Sequence, residues 1–205
     1  MNPASRRLPR IGIGALLALA VAMIASAGWI HVKAALAQVL LQRAWAQSDS
    51  GRTSVRPWPW ADMTPIAQLA VPRLGKRFIV LDNDSGQALA FGPGWTPSSA
   101  VPATHGLSVI SAHRDTQFAS LQYLHQGDRI EIDGAAGRRS YRVVSMRIVD
   151  SRDMRLANAD SIDALVLVTC YPFDAIVPGG SQRYVVEALP EGVSGRLERR
   201  VAMLR

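Results

Sequence analysis

Between residues 65 and 190 the sequence is cut into short β-branched runs by Gly, Pro and Asp turns, and that rhythm limits the fold more than any other feature. Eight candidate strands follow from it: Gln68–Val71, Arg77–Leu81, Ala88–Phe91, Leu107–Ala112, Arg129–Ile132, Ser140–Ile148, Leu165–Cys170 and Arg183–Leu189. Turn residues stand between them at Asp82-Asn83-Asp84-Ser85-Gly86, Gln126-Gly127-Asp128 and Asp133-Gly134. Phe118, Leu121 and Leu124 are set at helical spacing and predict one short helical turn. Strands this short and this closely spaced would leave many exposed edges in an open sheet. The expected fold is therefore mainly β, an eight-stranded closed or nearly closed barrel with short helices.

The N-terminal part reads differently. Ile11 to Ile30 is a run of 20 residues without a charge, enough to cross a hydrocarbon core of about 30 Å as a helix. Arg6, Arg7 and Arg10 precede it, so the expected topology places residues 1–10 in the cytoplasm and the rest outside. Ala25-Ser26-Ala27 also fits a signal-peptide cleavage pattern. The length of the run, and helical periodicity continuing through Val32, Leu36, Val39, Leu40 and Trp45, favour an uncleaved anchor at residues 11–30. Residues 31–64 read as a juxtamembrane helix, broken at Gln47-Ser48-Asp49-Ser50-Gly51, and an extended linker containing Arg56-Pro57-Trp58-Pro59-Trp60. Trp58 and Trp60 are expected to lie on the domain surface and clamp the linker there. Residues 191–205 form a basic tail without strand pattern.

Location decides what the charge means. The formal net charge is +7, but residues 1–47 hold five basic side chains and no acidic one. The remainder is nearly balanced, and no basic stripe with interleaved aromatics appears, which argues against nucleic-acid binding. A single cysteine, Cys170, rules out an intrachain disulfide. By itself it reads equally well as a small buried apolar residue or as a reactive thiol.

Three segments carry candidate chemistry. Val109-Ile110-Ser111-Ala112 is an apolar strand that ends on His113, and Leu165-Val166-Leu167-Val168-Thr169 is another that ends on Cys170. Arg183 opens the last strand. Residues at strand ends project from a rigid scaffold, where a catalytic group has to be held. A thiol is a weak nucleophile while protonated, and a neighbouring imidazole can hold the thiolate or deliver a proton to a departing amine. A guanidinium stabilises the negative charge that develops on an attacked carbonyl oxygen. Cys, His and Arg together suit acyl transfer through a thioester. His31, His105 and His125 have no comparable setting, and Asp115 reads first as a turn former that also stands within reach of orienting His113. No local spacing supplies three metal ligands, so neither a metal nor another cofactor is expected.

These motifs carry a resemblance. Ala112-His113-Arg114-Asp115-Thr116, the Phe/Leu helical turn with Gly127-Asp128, Leu167-Val168-Thr169-Cys170, and an Arg 13 residues after the Cys resemble the sortases over roughly residues 68–189. The stretches Pro57-Trp58-Pro59-Trp60-Ala61-Asp62 and Cys170-Tyr171-Pro172-Phe173-Asp174-Ala175 are similar to the class GN sortases of Gram-negative proteobacteria. Three positions depart from the usual pattern. Val166 stands where the family's Thr-Leu-x-Thr-Cys begins, Trp95 where a His is usual, and His105-Gly106 where Gly-Asn is expected. The resemblance implies a sortase-type barrel at residues 65–190 behind an inner-membrane anchor, with the barrel in the periplasm. It also implies cleavage of a Leu-Pro-x-Thr-Gly-like C-terminal sorting signal on an exported protein and transfer to an amine acceptor. Cys170 would be nucleophile, His113 the proton partner and Arg183 the oxyanion-side cation. Residues 147–163 would help line the groove, with Met154, Leu156 and Ile162 as apolar candidates that a plain loop packing on the barrel explains equally well. An L,D-transpeptidase-like enzyme and a non-catalytic anchored β-domain are the alternatives. The first wants Ser-x-Gly-Cys where this chain has Thr169-Cys170-Tyr171.

Overall fold

The computed structural model describes Leu16, Met23 and residues 32–152, 162–175 and 179–192. The chain divides into two compact units, residues 1–39 and residues 40–205. In the first, Leu16, Met23 and residues 32–39 are helical. Among the described residues no helix is long and apolar enough to cross a membrane. The expected anchor at 11–30 lies outside the described residues apart from Leu16 and Met23, and the basic tail lies outside them from residue 193 onward.

The second unit is a closed barrel of eight strands in the order β1-β2-β3-β4-β7-β8-β6-β5. The strands are β1 (Pro65–Val71), β2 (Lys76–Leu81), β3 (Gly94–Trp95), β4 (Leu107–Ser111), β5 (Arg129–Gly134), β6 (Gly137–Asp150), β7 (Ala164–Cys170) and β8 (Gln182–Pro190). All neighbours are antiparallel except β2·β3 and β4·β7. A parallel pair needs a long crossover. Between β4 and β7 the crossover consists of a 3-10 helix, Gln117–Tyr123, and the β5–β6 hairpin.

Strand alternation builds two apolar layers. The barrel interior holds Leu69, Val80, Ile110, Ile130, Ile132, Tyr141, Leu165, Leu167 and Val186, and the 3-10 helix adds Phe118 and Leu121. A second cluster on the outer face joins Leu107, Val109, Val166, Val168, Val185 and Leu189. β7 is covered on both sides, which explains its unbroken apolar run. A third cluster seats the helical stretch that opens this unit. Leu41 packs there with Met63, Ile79, Leu81 and Ala88, and Trp58 and Phe91 meet edge-on at 5.1 Å.

Seven strands fall where the sequence predicts them, and the eighth does not. Ala88–Phe91 was expected to be a strand, but Gly86–Leu89 is a short helix, α1, because the Ser85 hydroxyl caps it by accepting from the Ala88 amide at 3.2 Å. The missing strand is β3, two residues inside Gly92-Pro93-Gly94-Trp95. A Cβ on Gly94 would stand 2.3 Å from the Asn83 carbonyl oxygen, so only glycine lets this strand close the barrel. The turn expected at Asp133-Gly134 sits later, at Ala135-Ala136, since β5 continues to Gly134 and pairs with Gly137. Trp58 is half-buried, as expected for a clamp, whereas Trp60 is 77% exposed and clamps nothing.

Candidate active site

The parallel β4·β7 ladder ends with Ser111 beside Val168. The Ala112 amide then donates to the Val168 carbonyl at 3.2 Å, and the Thr169 hydroxyl donates to the Ala112 carbonyl at 2.7 Å. One register step further along each chain come His113 and Cys170. Across the other edge of β7, Cys170 is the direct partner of Arg183 in β8. Directly opposed residues of an antiparallel pair point to the same face. Alternation along β7 and β8 puts Cys170 and Arg183 on the outer face with Val166, Val168 and Val185. His113 continues the parity of Leu107 and Val109 on β4, which belong to that same outer layer. The three sequence-nominated residues thus terminate three neighbouring strands at one end of the barrel, at the head of an apolar strip.

Their environments differ. His113 is exposed, while Cys170, a free thiol, and Arg183 are half-buried. One terminal nitrogen of Arg183 donates to the carbonyls of Gly180 at 2.6 Å and Gln182 at 2.9 Å, so the backbone entering β8 holds the guanidinium. Asp115 is exposed in the turn after His113. His105 lies elsewhere and pairs with Asp163 at 2.9 Å, and His125 lies in the turn before β5. Burial raises the pKa of Asp163, but the hydrogen bonds and charge of Arg139, with His105 adding to them, outweigh it and hold the carboxyl below its ordinary value. Of the expected groove residues, Ile162 packs against the outer apolar layer, and Met154 and Leu156 lie outside the described residues. Among the described residues no three His, Cys, Asp or Glu side chains cluster as metal ligands.

The sequence reading missed the supports around these residues. Thr169, 2% exposed, locks the residue before Cys170 to the residue before His113. Its signal was present, because a hydroxyl inside an apolar run must find a buried acceptor. Arg114 donates to the Ala175 carbonyl at 2.7 Å and ties the His113 loop to the segment after Cys170. That segment contains a cis Tyr171–Pro172 bond. On the inward face Tyr171 stacks on Tyr184 at 6.5 Å, and Phe173 meets Tyr184 edge-on at 5.2 Å. Burial, and secondarily Tyr171, raises the Tyr184 phenol above its usual range.

Comparison with known proteins gives a consistent picture. The profile of the sortase domain matches residues 69–191. Sortase D of Bacillus subtilis (strain 168) is 29% identical over 119 residues, which is 58% of this chain and 60% of that protein. The chain therefore spans about three-fifths of that relative's length. Among solved structures, sortase A from Corynebacterium diphtheriae superposes with a TM-score of 0.57 at 24% identity, covering 67% of this chain and 65% of that one. A Clostridium perfringens sortase D5 transpeptidase gives 0.55 at 22% identity, covering 63% of this chain and 80% of the other. At these identities the structures speak for the fold, an eight-stranded barrel with short helices.

Proposed function

This chain belongs to the sortase family, and from that premise we propose that it is a membrane-anchored cysteine transpeptidase using Cys170, His113 and Arg183. The observation that carries the reading is the direct pairing of Cys170 with Arg183 across β7 and β8, with the His113 loop bonded to the other edge of β7. The Cys170 sulfur attacks the threonyl carbonyl of a Leu-Pro-x-Thr-Gly-like signal, forming a C–S bond. Arg183 faces the oxygen that gains negative charge, in a half-buried setting where a fixed cation is worth more than in water. The C–N bond to the following residue breaks, and His113 protonates the departing amine. An acceptor amine then attacks the thioester carbonyl and releases the thiol; water in its place gives hydrolysis.

The charge-free run at residues 11–30, preceded by Arg6, Arg7 and Arg10, supports an inner-membrane anchor with the barrel on the periplasmic side, where exported clients carrying the signal pass. The linker and post-cysteine motifs favour the class GN branch. Mass spectrometry of the purified full chain, incubated with a Leu-Pro-x-Thr-Gly peptide, tests the reading. The expected product is a covalent adduct carrying the peptide up to its Thr, absent from Cys170→Ala. An unmodified parent protein, or cleavage by a folded Cys170→Ala variant, would defeat it.

A further inference from the structure

The backbone that holds Arg183 is itself held from β6. One terminal nitrogen of Arg183 rests on the Gly180 and Gln182 carbonyls, and the Gln182 carbonyl also accepts from the Tyr171 amide at 3.0 Å. Tyr171 follows Cys170, so this one carbonyl joins the segment of the thiol to the guanidinium. Yet Gly180 comes straight after Gly179, both are exposed, and Gly179 has a φ of +95°. A glycine pair has the most backbone freedom to lose on ordering. A contact from outside this stretch is needed to fix the carbonyls that carry Arg183.

β6 supplies that contact. Asp150 is the last residue of β6 and the register partner of Gln182, as Val149 is of Arg183. The Asp150 carboxylate accepts from the Ser181 hydroxyl at 2.7 Å, and the Ser151 amide donates to the Ser181 carbonyl at 2.8 Å. Ser181 is thus gripped at both side chain and backbone. The carboxylate is oriented in turn by Arg152, which donates to it through its amide and its Nε, both at 2.9 Å, and through a terminal nitrogen at 2.7 Å. Those bonds, with the Ser181 hydroxyl, hold the Asp150 carboxyl well below its ordinary value, so at neutral pH it is an ionised acceptor. A hydrogen bond to an ionised acceptor is shorter and stronger than a neutral one. A clamp serving only the sheet edge could sit at any register. This one falls on the single residue between the two carbonyls that carry Arg183.

We propose that Asp150 and Ser181 are positioning residues for acyl transfer, fixing the Gly180 and Gln182 carbonyls and through them the direction in which the Arg183 guanidinium faces the reacting carbonyl. This rests on the transpeptidase reading. Neither residue has to touch the substrate. An oxyanion donor stabilises developing charge most when it already stands in place and needs no reorganisation during the reaction.

The decisive variant is Ser181→Ala, which removes one hydroxyl and leaves the Asp150–Arg152 pair and the Ser151 bond intact. Acyl-enzyme formation from the Leu-Pro-x-Thr-Gly peptide is measured on the full chain in detergent. It should slow by about ten- to a hundred-fold with peptide KM nearly unchanged, the scale of a misplaced reacting group. Ser181→Thr keeps the hydroxyl and should recover the rate. Asp150→Ala should slow the reaction at least as much, and adding Ser181→Ala to it should cost nothing further. On top of Arg183→Lys, Ser181→Ala should cost about twofold at most, because Ser181 acts through the guanidinium. A parental rate in Ser181→Ala, a change in KM alone, or an equal loss with and without Arg183 overturns the proposal. If the parent forms no thioester, the transpeptidase reading fails, and ¹⁵N relaxation of the Arg183 Nε–H decides the positioning claim. A guanidinium ordered in the parent and in Ser181→Thr but mobile in Ser181→Ala upholds it. One equally ordered, or equally mobile, in all three overturns it.

Discussion

The Thr169 hydroxyl donates to the Ala112 carbonyl at 2.7 Å in the buried seam between β7 and β4. Each partner immediately precedes a residue of the proposed mechanism, so this bond, with that of the Ala112 amide to the Val168 carbonyl, sets Cys170 and His113 relative to each other. Thr169→Val keeps the volume and removes the donor, leaving a buried carbonyl unpaired. The expected loss is about 1–3 kcal/mol of stability, read by urea denaturation. Acyl-enzyme formation should slow with little change in peptide KM, because alignment rather than binding is lost. Thr169→Ser should restore both. A Val variant as fast and as stable as the parent would reduce Thr169 to packing.

Asp128 should give the barrel an acid-sensitive component. The Arg73 hydrogen bonds hold its carboxyl below the ordinary value against the opposing effect of burial, and the His125 amide adds to them at 2.7 Å. A folded-state pKa below the unfolded one contributes stability that is full above about pH 4 and fades as pH falls through the lower folded value. Asp128→Asn should therefore be less stable than the parent at pH 7, and the gap should narrow below about pH 4. Denaturation midpoints across a pH series measure it. A gap that stays constant with pH would mean that the carboxylate charge contributes nothing.

The two linker tryptophans should separate cleanly. Trp58 packs into the third cluster against Phe91, and Trp60 stands in solvent. Trp58→Ala should cost about 1–3 kcal/mol and Trp60→Ala no more than about 0.5 kcal/mol. Thermal unfolding of the pair checks this, and equal losses would contradict the packing.

The parts of this fold that could be read from the sequence are those where one physical signal dominates. β7 is an apolar run bounded by turns, and the helical turn at Phe118–Leu124 announces itself by spacing. β3 could not be read, because a two-residue strand has no periodicity and Gly94 is required by a close backbone approach that depends on the closed barrel. The stretch at Ala88 misled in the opposite direction. Its apolar residues look like a strand, but the Ser85 cap two residues before Gln87 decides for helix. Trp60 misled by composition, since aromatic character alone does not reveal a contact. At the site, the residue types of His113, Cys170 and Arg183 were visible at strand ends. The bonds of Thr169 and Arg114 were not, because each depends on which strands become neighbours.

Arg183→Lys should be far more damaging than conservation of charge suggests. The guanidinium is held by the Gly180 and Gln182 carbonyls through one terminal nitrogen, and its planar fork presents further donors from that fixed position. An ammonium is a mobile point charge without that geometry, so it cannot serve the backbone carbonyls and a developing oxyanion together. Loss of one oxyanion donor typically costs on the order of 2.7–4 kcal/mol, or roughly a hundred- to a thousand-fold in turnover. Signal-peptide binding should change little, because the lost interaction strengthens mainly in the transition state. Alkylation of Cys170 by a small thiol reagent should also persist, since that reaction builds no carbonyl oxyanion. Measuring kcat, KM and alkylation together discriminates the cases. If kcat stays at the parental level, Arg183 is a strand-edge charge and the oxyanion must be met by backbone amides near Cys170. If alkylation collapses as well, Arg183 acts on the thiol itself, and its place in the mechanism moves from the oxyanion to the nucleophile.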